Sequence, residues 1–166
     1  MSFNFDQYNQ FIQRVDERCA ELGTEHQAHL QCRKGCDLCC INYRIFPIEY
    51  YAIKQALKPE ANLTCESVDG SCIFLNKQVC QIYEHRPVIC RTHGLPLLFL
   101  NDEQWELSTC ELNFTEFDDE EFATENTFAQ DRFNSELFML NKLFIEKNNL
   151  PYSEFDLVEM KNLHQA

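Results

Sequence analysis

A chain of 166 residues with 45% hydrophobic and 13% aromatic side chains can bury one modest core and is too apolar for an intrinsically disordered polymer. No apolar run approaches the ~20 residues that a membrane-spanning helix needs. The formal charge of −13 is uneven: residues 1–100 carry 10 Lys/Arg against 11 Asp/Glu, and residues 101–166 carry 4 against 16, so phosphate backbones are repelled and DNA or RNA is not an expected partner.

The expected organisation is one cysteine-cluster domain over residues 1–166, with a motif core at 32–110 and an acidic, helical segment at 116–160. The first residues, Met1 to Asp6, carry neither a basic patch nor an apolar stretch of secretory type, which sets the expected location as cytoplasmic. In that reducing setting ten cysteines read as metal ligands rather than as five disulfides.

In chain order, Phe5, Tyr8, Ile12, Val15, Cys19 and Leu22 recur at helical spacing and predict an amphipathic helix capped near Ser2 or Asn4. Cys19 then belongs to the core. The pattern runs on through His26 toward Leu30, and His26 and His29 read as boundary residues before they read as ligands. Asn42 to Phe46 is a short extended piece, and Pro47 opens a second helix that Lys58-Pro59 ends, with Tyr50, Ile53, Ala56 and Leu57 facing inward.

Residues 59–70 form a loop containing Cys65 and closing on Asp69-Gly70. Cys72 to Leu75 and Val79 to Tyr83 flank a polar turn, a hairpin that carries Cys72 and Cys80 close together. Pro87 starts a helical turn holding Cys90. A second hairpin joins residues 95–100 to 104–107 ahead of Cys110. Ala129, Phe133, Leu137, Leu140 and Phe144 mark a long C-terminal helix stopped by Asn148 to Pro151, after which Ser153 is the expected cap of a short helix through Glu159. The expected fold is therefore an α-rich small α+β domain, with N- and C-terminal helices packed around a loop- and hairpin-built, Cys-rich metal core.

The chemistry concentrates in Cys32, Cys36, Cys39 and Cys40, four thiols within nine residues, followed by Cys72, Cys80 and Cys90, with Cys110 as an eighth candidate. Thiolates bind zinc and iron through soft sulfur, and short spacings let one turn aim several sulfurs at one ion. A solitary cysteine is more often a small buried hydrophobe, the reading adopted for Cys19 and Cys65. Four thiolates complete a tetrahedral zinc site or hold one iron–sulfur cluster, so seven or eight exceed one simple site. Cys39 and Cys40 reach one centre from a tight loop and different centres from an extended chain.

The run Cys32-x3-Cys36-x2-Cys39-Cys40, then Cys72-Ile73-Phe74-Leu75, then Cys80 and Tyr83, Arg86-Pro87 and Cys90-Arg91, resembles the YkgJ-like cysteine-cluster family, the CxxCxxCC zinc- or iron-chelating domains. The resemblance spans residues 32–91 and implies a metal-binding domain using zinc or iron. It also touches the cysteine-rich part of flagellin lysine N-methylases, which implies an iron–sulfur cluster as an alternative cofactor. Methyl transfer is not carried over, because no Gly-rich loop for S-adenosylmethionine is present. Cys32-x3-Cys36-x2-Cys39 has radical S-adenosylmethionine spacing as well, but Leu38 occupies the place of the expected aromatic and alternating βα units are absent.

Beside the thiols, Arg86 and Arg91 flank Cys90; such guanidinium groups would lower thiol pKa values and donate hydrogen bonds to bound thiolates. Tyr83 reads as a core aromatic propping the site, and His93 as a lesser ligand candidate. Three functions follow as expectations: a cytosolic zinc- or iron-chelating protein, an iron–sulfur redox or methyl-transfer accessory enzyme, and a zinc-stapled adaptor whose acidic C-terminal face docks a protein partner. A Cys-His nucleophile built from Cys90 with His85 or His93 has no signature motif behind it.

Overall fold

The computed structural model describes residues 3–33, 35–57, 70–116 and 121–165. The first helix, α1 (Asp6–Glu25), presents Tyr8, Phe11, Val15 and Leu22 as its buried face. Phe11, which the expected stripe omits, is fully buried, because the face is wide enough to take both the 8–11–15 and the 8–12–15 rows. Asn4 Oδ1 accepts the Asp6 N–H at 2.9 Å and so helps the helix start. The helix stops short of Leu30: the His26 N–H still bonds to the Leu22 carbonyl, and the chain then loosens into the cysteine loop.

A two-residue strand, β1 (Arg44–Ile45), leads into α2 (Pro47–Ala56), with Pro at the first helical position. Tyr50 and Ile53 are buried as expected, Ala56 and Leu57 are half-buried, and Ile48 and Glu49 are buried instead. The expected loop around Cys65 lies outside the described residues, apart from Gly70 at its end. The first hairpin forms as β2 (Leu75–Asn76) and β3 (Val79–Cys80), with Lys77 and Gln78 both at positive φ, the two-residue turn whose twist matches paired strands.

Pro87 precedes α3 (Val88–Thr92). The second hairpin, β4 (Leu97–Asn101) and β5 (Gln104–Ser108), turns on Asp102 and Glu103, again at positive φ. β4 gains a parallel neighbour in β6 (Phe128–Ala129), and α4 (Gln130–Asn148) follows directly, ending on Asn149 in the left-handed region. The last segment corrects the expected short helix. Ser153 is held by its own N–H donating to Asp156 Oδ2, and β7 (Val158–Glu159) pairs with β1 before a 3-10 turn at Met160–Gln165. Pairing with β1 satisfies backbone groups that a helix this short would leave largely unbonded.

The chain is thus a small α+β fold in which α1 packs against α3 and α4, and α2 against α4 and the C-terminal turn. The filling of the centre also corrects expectation. One cluster joins the α1 face to Val88, Phe128, Leu137 and Phe144, with Phe5 and Phe144 stacked at 5.5 Å between ring centroids. A second gathers Ile45, Tyr50, Ile53, Phe74, Ile82, Met160 and Leu163. Aromatic and aliphatic burial fills both, and of the cysteines among the described residues only Cys72 is buried within them, so the cysteine loops lie beside the core.

Candidate metal centre

Two tight turns shape the first cysteine loop. Gly35 at φ +97° lets the Cys36 N–H reach the Arg33 carbonyl at 2.9 Å, and the Cys40 N–H reaches the Asp37 carbonyl at 2.8 Å. The loop is then sewn to the second cysteine segment: the Cys72 N–H donates to the Cys40 carbonyl at 2.8 Å, and Ile41 bridges Ser71. Asn42 completes the seam, its Nδ2 donating to the Ser71 carbonyl at 2.8 Å while its Oδ1 accepts the Ile73 N–H at 3.1 Å.

From there β2 carries Leu75 into register with Cys80, and the Tyr83–His85 turn returns the chain to α3, where Cys90 stands. Cys32, Cys36, Cys39, Cys40, Cys72, Cys80 and Cys90 consequently line a single cavity of about 580 Å³, shared with His93, Arg33, Gln78 and Arg86. Among the described residues Cys19, Cys32, Cys36, Cys39, Cys40, Cys80, Cys90 and Cys110 form no disulfide.

Burial is the first cause of every resolved thiol shift here. It raises Cys39, Cys80 and Cys90 and pushes Cys40 up to about 12, and at Cys39, Cys40 and Cys90 the neighbouring thiols add repulsion. Arg86 pulls Cys80 and Cys90 downward, in the direction expected, but burial outweighs it and both thiols stand above their ordinary value. Among the described residues no group of three or more His, Cys, Asp or Glu side chains already stands at metal-holding geometry. As a donor set, seven thiols lining one cavity suit a thiophilic cation, whose positive charge would stabilise their thiolates.

The residues expected beside the thiols have varied placements. Arg86 stacks over the Tyr83 ring at 3.7 Å and donates through Nη1 to the Cys90 carbonyl at 3.2 Å. Tyr83 is 57% exposed, so it forms the rim of the cavity and is no core aromatic. Arg91 turns away from the cavity: it grips Asp16 of α1 at 2.6 and 2.7 Å and donates to the Arg86 and Glu84 carbonyls. It fastens α3 to α1. Cys110 does not line the cavity; its carbonyl accepts the Asn113 N–H at 2.9 Å. His93 does line it, with Nε2 2.6 Å from the Tyr43 hydroxyl, which also donates to the Cys39 carbonyl at 3.2 Å.

Three positioning residues carry no motif that sequence reasoning registered. Buried Asn113 donates to the Gly94 carbonyl at 2.7 Å and to Cys32 Sγ at 3.4 Å, and accepts the Gln31 N–H at 2.8 Å. Gly94, at φ +90°, leaves room for that sulfur, since a Cβ there would collide with Cys32 Sγ. Buried Glu49 accepts the Val88 N–H at 2.9 Å and the Phe46 N–H at 3.2 Å, joining α2 to the helix that bears Cys90. Only the pairing of Asn42 and Asn113 with nearby cysteines in the chain offered a signal, and it is a weak one.

The family model CxxCxxCC, described as "Putative zinc- or iron-chelating domain", matches residues 31–127. The chain belongs to this family. No curated protein and no solved structure matches it. The CxxCxxCC match begins one residue before Cys32 and runs well past Cys90, through the second hairpin to Thr127. That extent is physically sensible: Asn113, far beyond the last cavity thiol, is the residue that holds Cys32 in place. Membership supports binding of a zinc or iron ion. No helix among the described residues is long and apolar enough to cross a membrane.

Proposed function

We propose that the protein is a cytosolic chelator of zinc or iron in which Cys32, Cys36, Cys39, Cys40, Cys72, Cys80 and Cys90 supply the ligands. One observation carries this reading: thiols from two segments more than thirty residues apart in sequence line the same cavity. When bound, such an ion supplies charge that stabilises thiolates and cross-links the loops presenting them. The chain's own residues define the cavity. Asn42 and the Cys40–Cys72 hydrogen bond hold its two walls together, Arg86 offsets negative charge at Cys80 and Cys90, and Asn113 fixes Cys32. Cys110 stands apart from this ligand set.

The test is anaerobic purification followed by metal analysis and a visible spectrum. Colourless protein with zinc supports a chelator or stapled adaptor, whereas brown protein absorbing near ~400 nm identifies an iron–sulfur centre, because zinc is a d10 ion without redox chemistry. Replacement of Cys36, Cys72 or Cys90 by Ser is expected to lower bound metal per chain. Unchanged stoichiometry in all three overturns the assignment.

A further inference from the structure

The seven cavity thiols do not form an even ring. Cys40, Cys72, Cys80 and Cys90 are strapped by backbone: the Cys72 N–H bonds to the Cys40 carbonyl, the Leu75 N–H to the Cys72 carbonyl at 2.9 Å, and Leu75 pairs with Cys80 across the hairpin. Arg86 ties Cys90 to the same wall through its carbonyl. Cys32, Cys36 and Cys39 come earlier in the loop whose second turn closes on the Cys40 N–H, and both Cys32 and Cys39 are exposed.

The two sets adjoin at Cys39 and Cys40, whose side chains hydrogen-bond to each other.

We propose that the cavity takes two unequal thiophilic ions, an inner one on Cys40, Cys72, Cys80 and Cys90 and an outer one on Cys32, Cys36 and Cys39, and that only the outer ion exchanges readily. This rests on the chelator reading above. Four sulfurs close a tetrahedral shell and exclude water, whereas three leave a position open to water or to an incoming ligand. The outer loop faces solvent, and Cys32 Sγ already has an alternative partner in Asn113, so an ion there can be surrendered without breaking the Cys40–Cys72 seam. The inner ion is the staple and the outer ion the cargo.

The experiment loads the reduced full-length chain anaerobically with Co2+ as a spectroscopic stand-in for zinc, then adds a chromogenic chelator. The expected result is two equivalents per chain, one released fast and one slowly, with thiolate-to-cobalt absorption lost in the proportion of three sulfurs to four. Alkylation after the fast phase, read by mass spectrometry, should label Cys32, Cys36 and Cys39 before the other four. This measurement needs no variant. Independently, Cys36→Ser should keep only the slow equivalent and Cys80→Ser only the fast one. A single equivalent, two equivalents leaving together, or labelling spread over all seven thiols overturns the two-ion division while leaving the chelator reading intact. Failure to bind any Co2+ overturns the chelator reading itself.

Discussion

At the scale of single residues, the cysteines that line the cavity were legible and most of the residues that position them were not. Asn113 is one polar residue between Leu112 and Phe114, and nothing near it in sequence shows that it reaches Gln31, Cys32 and Gly94. Replacing it by Ala takes this partner from the part-buried bonds at the Gln31 N–H and the Gly94 carbonyl and should cost about 1 kcal/mol, read by chemical denaturation. Gly94→Ala meets both a positive φ and the Cys32 sulfur, and should reduce bound metal as well as stability. Arg91 gives the opposite lesson. Its place beside Cys90 suggested thiolate contact, yet its guanidinium is taken up by Asp16, because a helical residue next to a cavity-lining one points to another face.

Glu49 supplies a pH signature at the same scale. Burial pushes its carboxyl up to about 7, against the two N–H donors and Arg91 that pull it down. An acid whose folded pKa lies above its unfolded value binds more protons in the native state, so its contribution is most favourable below the unfolded value near 4.5 and is lost as pH rises toward 7. Stability of the wild type relative to Glu49→Gln should therefore fall across that window and level off above it, by an amount on the order of 3 kcal/mol. Parallel curves for the two proteins across pH 4.5–7 would contradict this assignment.

At the scale of elements, hydrophobic spacing and turn chemistry carried most of the outcome. α1, α2, α4 and both hairpins stand where periodicity and turn residues put them, since their apolar faces and polar turns are local properties. The C-terminal strand was not legible, because its identity depends on β1, more than a hundred residues away in sequence. Tertiary pairing there overrides a local cap signal. The second hairpin still holds two non-glycine residues at positive φ, Asp102 and Glu103. Glu103→Gly creates the Asp-Gly pair that this turn prefers and should stabilise the fold by about 0.5–1 kcal/mol with metal content unchanged.

At the scale of the whole molecule, two kinds of cohesion lie side by side. Apolar burial holds α1, α2 and α4 around aromatic cores, while the cysteine loops rest on turns, one backbone seam and a few amide clamps. A metal that binds the folded cavity and not the unfolded chain adds its binding free energy to stability, so the loops should be the part most dependent on it. Exposed ion pairs such as Arg14 with Glu136 are worth little by comparison. The measurement that tests this most directly is the metal content and thermal unfolding midpoint of freshly purified, reduced protein, before and after treatment with a strong chelator. The account predicts bound zinc or iron on isolation and a clear fall in the midpoint once it is stripped; metal-free protein whose midpoint the chelator leaves unmoved would contradict it.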